Sequence, residues 1–135
     1  MAASPTEAIV REYVDACNGD DLERVFAILH PEVELHEAAA LPAAVSAVGS
    51  EAVKRYLARF ETHWTSFRWE PLELRVVGER ALMRARLHLV GRRSGIEVDR
   101  EWIYVFTVRD GKLLRQDGFD ALADAEQALG GEAPR

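Results

Sequence analysis

The segment Glu101–Asp120, EWIYVFTVRDGKLLRQDGFD, carries the strongest structural signal in the chain. Apolar runs flank Asp110-Gly111. Such a dipeptide predicts a β-hairpin, because the favoured two-residue turn requires φ > 0 at both central positions. Asp120 then provides an N-cap for a helix that ends near Gly130. The segment therefore predicts a strand, a tight turn, a second strand and a final helix.

The residues before this segment predict more sheet. Alternating apolar residues indicate half-buried strands, since successive side chains of a strand point to opposite faces. The predicted strands are residues 33–37, 67–77, 81–90, 96–108 and 112–119. The alternation changes parity at Pro71, which predicts a bulge or an edge position, because proline has no N–H for the ladder.

Apolar residues at helical spacing predict three helices in the first half of the chain. The first starts with a capping box from Ser4 to Glu7, and the second stops before Pro31, because the residue preceding proline avoids the α region. The three predicted helix starts are Ser4, Asp20 and Ser50. The alanine-rich residues 38–48 are predicted to form a loop.

These elements predict one α+β domain that covers residues 1–135. Three helices precede a long antiparallel meander, and long strands with a bulge curl. We therefore expect a curved antiparallel sheet wrapped around helices, with a conical pocket between them.

Composition and charge exclude several classes of function. The net charge of −6 argues against nucleic acid and anionic membranes as partners, since both require a basic face. No apolar run reaches the length of a membrane span and no signal-peptide pattern opens the chain, so a cytoplasmic location is expected. Cys17 is the only cysteine, and the four histidines have no metal-ligand spacing. The sequence predicts neither a metal nor another cofactor.

Three segments carry a resemblance to a known superfamily: residues 13–22 (YVDACNGDDL), 30–37 (HPEVELHE) and 108–113 (VRDGKL). Together with the element order α-α-β-α-β-β-β-β-α, they resemble the nuclear transport factor 2-like superfamily, which includes ketosteroid isomerases and SnoaL-like polyketide cyclases. The resemblance implies a cystatin-like cone. It leaves the reaction open, because the superfamily hosts isomerases, cyclases, hydrolases, dehydratases and non-catalytic binders.

The resemblance to the isomerases implies roles for two residues. Tyr13 matches the helix-one tyrosine that donates a hydrogen bond to the developing enolate oxygen, and Glu37 falls where those enzymes carry the general base. Val33 and Leu35 share the predicted face of Glu37, and an apolar face raises the pKa of a carboxyl group toward that of a useful base. The third isomerase group, a protonated acid, is missing, and Tyr104 could replace it as a second donor.

Other relatives imply other residues. The resemblance to the polyketide cyclases makes Asp117 an acid/base candidate on the last strand. Relatives of the limonene-epoxide hydrolase type use an Asp-Arg-Asp arrangement, and Asp99, Arg100, Arg86 and Asp117 supply the residue types without a distinctive spacing. The candidate ligand-binding residues are His36, Phe67, Trp69, Trp102 and Phe119.

The sequence thus predicts a protein that binds a small hydrophobic molecule. If it is an enzyme, it is a cofactor-free isomerase or cyclase that transfers a proton next to a carbonyl. The alternative is a non-catalytic ligand-binding or dimerisation module. A homodimer is also expected, because residues 96–108 carry apolar side chains on both faces of the predicted strand.

Overall fold

The computed structural model describes residues 4–19, 21–38 and 46–130, without the side chains of residues 60–63. Within these ranges, four helices and six strands follow one another as α1 (Pro5–Asn18), α2 (Leu22–Ile28), β1 (Leu29–His36), β2 (Ser46–Val48), α3 (Ser50–His63), β3 (Trp64–Val77), β4 (Arg80–Gly91), β5 (Glu97–Arg109), β6 (Lys112–Phe119) and α4 (Leu122–Gly130). The predicted α+β class is confirmed. The predicted cap Asp20, residues 39–45 of the predicted loop and the side chain of Phe60 lie outside the described residues.

All six strands form one sheet with the order β2-β1-β6-β5-β4-β3. β3 to β6 form the predicted antiparallel meander, whereas β1 pairs with β6 in parallel, so the sheet is mixed. β2 was predicted as part of a loop. Its three residues have too short a pattern to predict a strand, and they extend the sheet by pairing with β1.

Two local features confirm the sequence signals. In the turn after β5, Asp110 has φ 55° and Gly111 has φ 73°, as the predicted hairpin requires. The register of β3 against β4 shifts between Pro71 and Glu73, so the predicted bulge is present.

The two faces of the sheet have different cover. α1, α2 and α3 pack on the inner face, and the main apolar core lies between them and the sheet. α4 packs on the outer face, where its Ala125 and Leu129 bury Leu82 and Val105. α4 therefore buries part of the apolar outer face of β5 within one chain, without a second copy of the protein. No helix in the described ranges is long and apolar enough to cross a membrane.

Candidate functional site

A cavity of about 410 Å³ lies between the three N-terminal helices and the inner face of the sheet. Aromatic side chains from β3 form part of its wall, and these are Trp64, Phe67 and Trp69. Polar side chains line it as well, namely Tyr13 from α1, Glu37 directly after β1, Tyr56 from α3, Tyr104 from β5 and Gln116 from β6. The cavity therefore combines an apolar wall with a small group of polar atoms, which is the usual composition of a small-molecule site.

Glu37 follows directly after β1, and the alternation of Val33 and Leu35 directs its side chain to the inner face. Burial raises the pKa of the Glu37 carboxyl group from 4.5 to about 7. Among the described residues, no basic side chain forms an ion pair with Glu37, and its one hydrogen bond comes from Gln116 Nε2 at 3.5 Å. A carboxyl group in this state can both accept and return a proton near neutral pH.

Tyr13 reaches the cavity from α1 and is 1% exposed. Its hydroxyl group donates a hydrogen bond of 2.9 Å to Gln116 Oε1. Burial raises the pKa of Tyr13 well above its ordinary value, so the phenol stays protonated. Tyr13, Gln116 and Glu37 thus form one continuous chain of polar groups.

Tyr104 enters the cavity from β5 and lies against Trp69. The indole Nε1–H of Trp69 donates a hydrogen bond of 3.1 Å to the Tyr104 hydroxyl oxygen, and the ring centroids are 5.1 Å apart in an edge-to-face arrangement. Within the described part of the chain, the hydroxyl hydrogen of Tyr104 has no acceptor. Burial is the main cause of a raised pKa at Tyr104, and the negative charge of Glu37 adds to it.

Tyr56 and Gln116 border the cavity, although neither was identified from the sequence. Tyr56 lies on α3, and burial together with the charge of Glu37 raises its pKa. Gln116 is 2% exposed on the inner face of β6. Gln116 pairs with Leu35 and Phe106, whose side chains point inward, and this pairing shows that its own side chain faces the cavity.

Three sequence candidates lie on the opposite face of the sheet. His36 accepts or donates hydrogen bonds of 2.9 Å with Ser46 and Glu34, and Asp117 accepts one of 2.8 Å from Arg115 Nε. Phe119 packs with the α4 cluster on that face. His36 and Phe119 were expected among the ligand-binding residues, but neither borders the cavity that Glu37 lines. Successive side chains of a strand point to opposite faces of the sheet, so His36 faces away from the cavity that its neighbour Glu37 enters. Asp117 likewise faces away from it, because it follows the inward-facing Gln116.

Trp102 also departs from its expected place. It is 3% exposed and belongs to the main core, but it does not border the cavity. The guanidinium group of Arg100 lies 4.4 Å from its ring centroid. Arg86 and Asp99 form an ion pair of 2.7 Å between β4 and β5 rather than facing the cavity. In the described ranges, no group of three His, Cys, Asp or Glu side chains could hold a metal ion.

Known proteins share this fold. The family model described as SnoaL-like domain matches residues 10–116. A proposed polyketide cyclase from Sinorhizobium meliloti is 25% identical, with a TM-score of 0.67 over 86% of this chain and 99% of that chain. TerC, co-crystallized with polyporic acid, is 23% identical, with a TM-score of 0.74 over 91% of this chain and 97% of that chain.

An epoxide hydrolase from M. tuberculosis, of a type called LEH-like, is 18% identical, with a TM-score of 0.74 over 93% of this chain and 89% of that chain. No curated protein matches the sequence significantly. The chain belongs to the SnoaL-like domain family, and the solved nuclear transport factor 2-like proteins have the same fold.

Proposed function

We propose that this SnoaL-like protein is a cofactor-independent proton-transfer enzyme that acts on a small, largely apolar molecule with a carbonyl group. The observation that carries the proposal is the pairing of two groups in one cavity. Glu37 has a pKa of about 7, and the Tyr104 hydroxyl hydrogen has no acceptor among the described residues. The first is a base near neutral pH, and the second is a donor for a developing oxyanion.

Glu37 would remove a proton from the carbon next to the carbonyl. The electron pair of the broken C–H bond then moves to the carbonyl oxygen, and the enolate receives the hydrogen bond of Tyr104. One such donor contributes about 3 kcal/mol to the transition state, or about 100-fold in rate. Protonated Glu37 can return the proton at a different carbon, which is an isomerisation. Alternatively, the enolate carbon attacks a second carbonyl within the substrate, which closes a ring, and protonated Glu37 returns its proton to the alkoxide oxygen that this step forms.

The shape and polarity of the cavity favour an aromatic or polyunsaturated substrate. Trp69 packs edge-on against Phe67 and Tyr104, with centroid distances of 5.3 and 5.1 Å, so flat apolar surfaces form the wall. The likeness to a proposed polyketide cyclase at 25% identity supports the same class of substrate. The competing function is a binding module without catalysis, in which Glu37 only anchors a polar group of the ligand.

A substrate screen tests the proposal. The parent protein and Glu37→Gln are assayed with β,γ-unsaturated ketones and with aromatic polyketide aldol donors. We expect turnover by the parent and a loss of at least 100-fold in Glu37→Gln. Asp117→Asn is the matched control, since it also removes a carboxylate, but from the opposite face of the sheet. Equal losses in both variants, or full activity in Glu37→Gln, would refute the role of Glu37.

A further inference from the structure

The amide group of Gln116 lies between Tyr13 and Glu37 in the cavity wall. Gln116 Oε1 accepts the Tyr13 hydroxyl hydrogen at 2.9 Å, and Gln116 Nε2 donates toward Glu37 Oε1 at 3.5 Å. Tyr13 and Gln116 are 1% and 2% exposed, so neither can exchange these partners for bulk water. The second contact is long for a hydrogen bond, and a small movement of either side chain shortens it.

The directions of these hydrogen bonds are determined by chemistry. When Glu37 is ionised it only accepts hydrogen bonds, so in that state the NH₂ end of Gln116 faces it, as in the structure. The carbonyl end then faces Tyr13 and takes the single hydrogen of its hydroxyl group. With its hydrogen used in this way, Tyr13 has no donor left for a substrate oxygen.

We infer that Gln116 is a positioning residue for Glu37, and that Tyr13 acts through Gln116 rather than on the substrate. The inference rests on the proposed function and assigns the enolate donor to Tyr104. The hydrogen bonds from Tyr13 to Gln116 and from Gln116 to Glu37 hold the base in place. The hydrogen bond from Trp69 to Tyr104 orients the donor. The resemblance to the isomerases instead makes Tyr13 the donor to the enolate oxygen, so the two assignments of Tyr13 make different predictions.

The groups around Glu37 determine what the amide contributes. Tyr13 and Cys17 from α1, Tyr56 from α3 and Tyr104 from β5 border the same cavity, and all four have raised pKa values. They are neutral at pH 7 and cannot compensate a carboxylate charge.

Two charged side chains, Asp21 and Arg92, border the cavity as well, and both are exposed to solvent. The amide N–H of Gln116 is the described donor that contacts Glu37 directly. It favours the ionised form and holds one oxygen, which leaves the other for the substrate.

The test is a titration of Glu37 by carbon NMR in protein without substrate. Gln116→Leu keeps the residue's bulk and removes the amide, so we expect the pKa of Glu37 to rise by about half a unit or more. Tyr13→Phe frees the amide to rotate, and we expect a smaller rise in the same direction. In the double variant the rise should equal that of Gln116→Leu alone, since Tyr13 has nothing left to act through.

Tyr104→Phe is the matched control, because Tyr104 borders the cavity without contacting Gln116. Its effect should add to that of Gln116→Leu. Additive shifts for Tyr13→Phe and Gln116→Leu, or no shift in Gln116→Leu, would overturn the inference. Gln116→Met serves as a second variant if Gln116→Leu folds poorly. This titration needs no turnover, so its outcome is independent of whether the proposed reaction is found.

Discussion

Asn18 pairs with the backbone of Trp69 through two hydrogen bonds of 2.7 Å. Its Nδ2 group donates to the Trp69 carbonyl oxygen, and its Oδ1 atom accepts from the Trp69 N–H. β3 is an edge strand, so the amide of Asn18 takes the place of a neighbouring strand at this point. The same two bonds tie the end of α1 to the strand that carries the aromatic wall of the cavity.

The first prediction concerns this link. Asn18→Ala leaves the N–H and C=O groups of Trp69 without partners, and we expect the free energy of unfolding to fall by about 1–3 kcal/mol. Urea denaturation followed by circular dichroism measures the change. Glu12→Ala, an exposed position on the same helix, is the control and should change stability by less than about 0.5 kcal/mol. Equal stability of Asn18→Ala and the parent would show that the link has no energetic role.

The second prediction concerns the pH dependence of stability. The folded pKa of Glu37, about 7, lies above its ordinary value of 4.5. The folded state therefore binds more protons between these two values, and this group lowers the stability as the pH rises through that window. Glu37→Gln removes the effect. Between pH 4 and pH 8, the free energy of unfolding of Glu37→Gln should rise relative to that of the parent by at most on the order of 3 kcal/mol.

Thermal or urea unfolding of the parent and Glu37→Gln at several pH values measures the difference. Glu34→Gln is a suitable control because the hydrogen bond from His36 and the charge of Arg115 lower the pKa of Glu34. Relative to the parent, Glu34→Gln should therefore lose stability as the pH rises, whereas Glu37→Gln should gain it. A difference between Glu37→Gln and the parent that does not vary with pH would contradict the raised pKa.

The third prediction concerns the tryptophans. Trp64 and Trp69 border the cavity and Trp102 does not. An apolar ligand should therefore quench tryptophan emission with a stoichiometry near one per chain. Trp102→Phe should keep the quenching, whereas Trp69→Phe should lose a large part of it. Quenching that depends on Trp102 alone would mean that the ligand binds elsewhere.

The fourth prediction concerns the oligomeric state. α4 covers Leu82 and Val105, but the outer face also carries half-exposed ion pairs such as Arg86–Asp99. A surface with both charges can pair with itself about a two-fold axis. We expect light scattering to give twice the 15.1 kDa of one chain at micromolar concentration. A mass of one chain would contradict the dimer.

The sequence predicted the hairpin and the bulge because each depends on local chemistry. Asp110-Gly111 suits a turn with positive φ, and Pro71 cannot donate to a ladder, whatever the rest of the chain does. The parallel pairing of β1 with β6 could not be predicted in this way, because Leu35 and Gln116 are far apart in the chain. Local patterns do not specify which strands become neighbours.

The same distinction applies to the site. The alternation of Val33 and Leu35 directed Glu37 to the inner face, where it borders the cavity. Tyr104, which the resemblance suggested as a second donor, borders the same cavity. Phe119 was misplaced because the register of β6 against β5 shifts after Thr107, which alternation alone does not reveal. Gln116 was missed because a glutamine in a strand has no special signal until its partners are known.

The most direct test of the central claim is exchange of carbon-bound protons in D₂O. A panel of apolar ketones is incubated with the protein, and proton NMR follows the loss of the signals next to the carbonyl. We predict that the parent accelerates exchange of at least one ketone that also quenches Trp69, that Tyr104→Phe slows it about 100-fold, and that Glu37→Gln abolishes it. Ketones that bind and quench but exchange at the same rate with the parent and with Glu37→Gln would contradict the claim and favour a binding module.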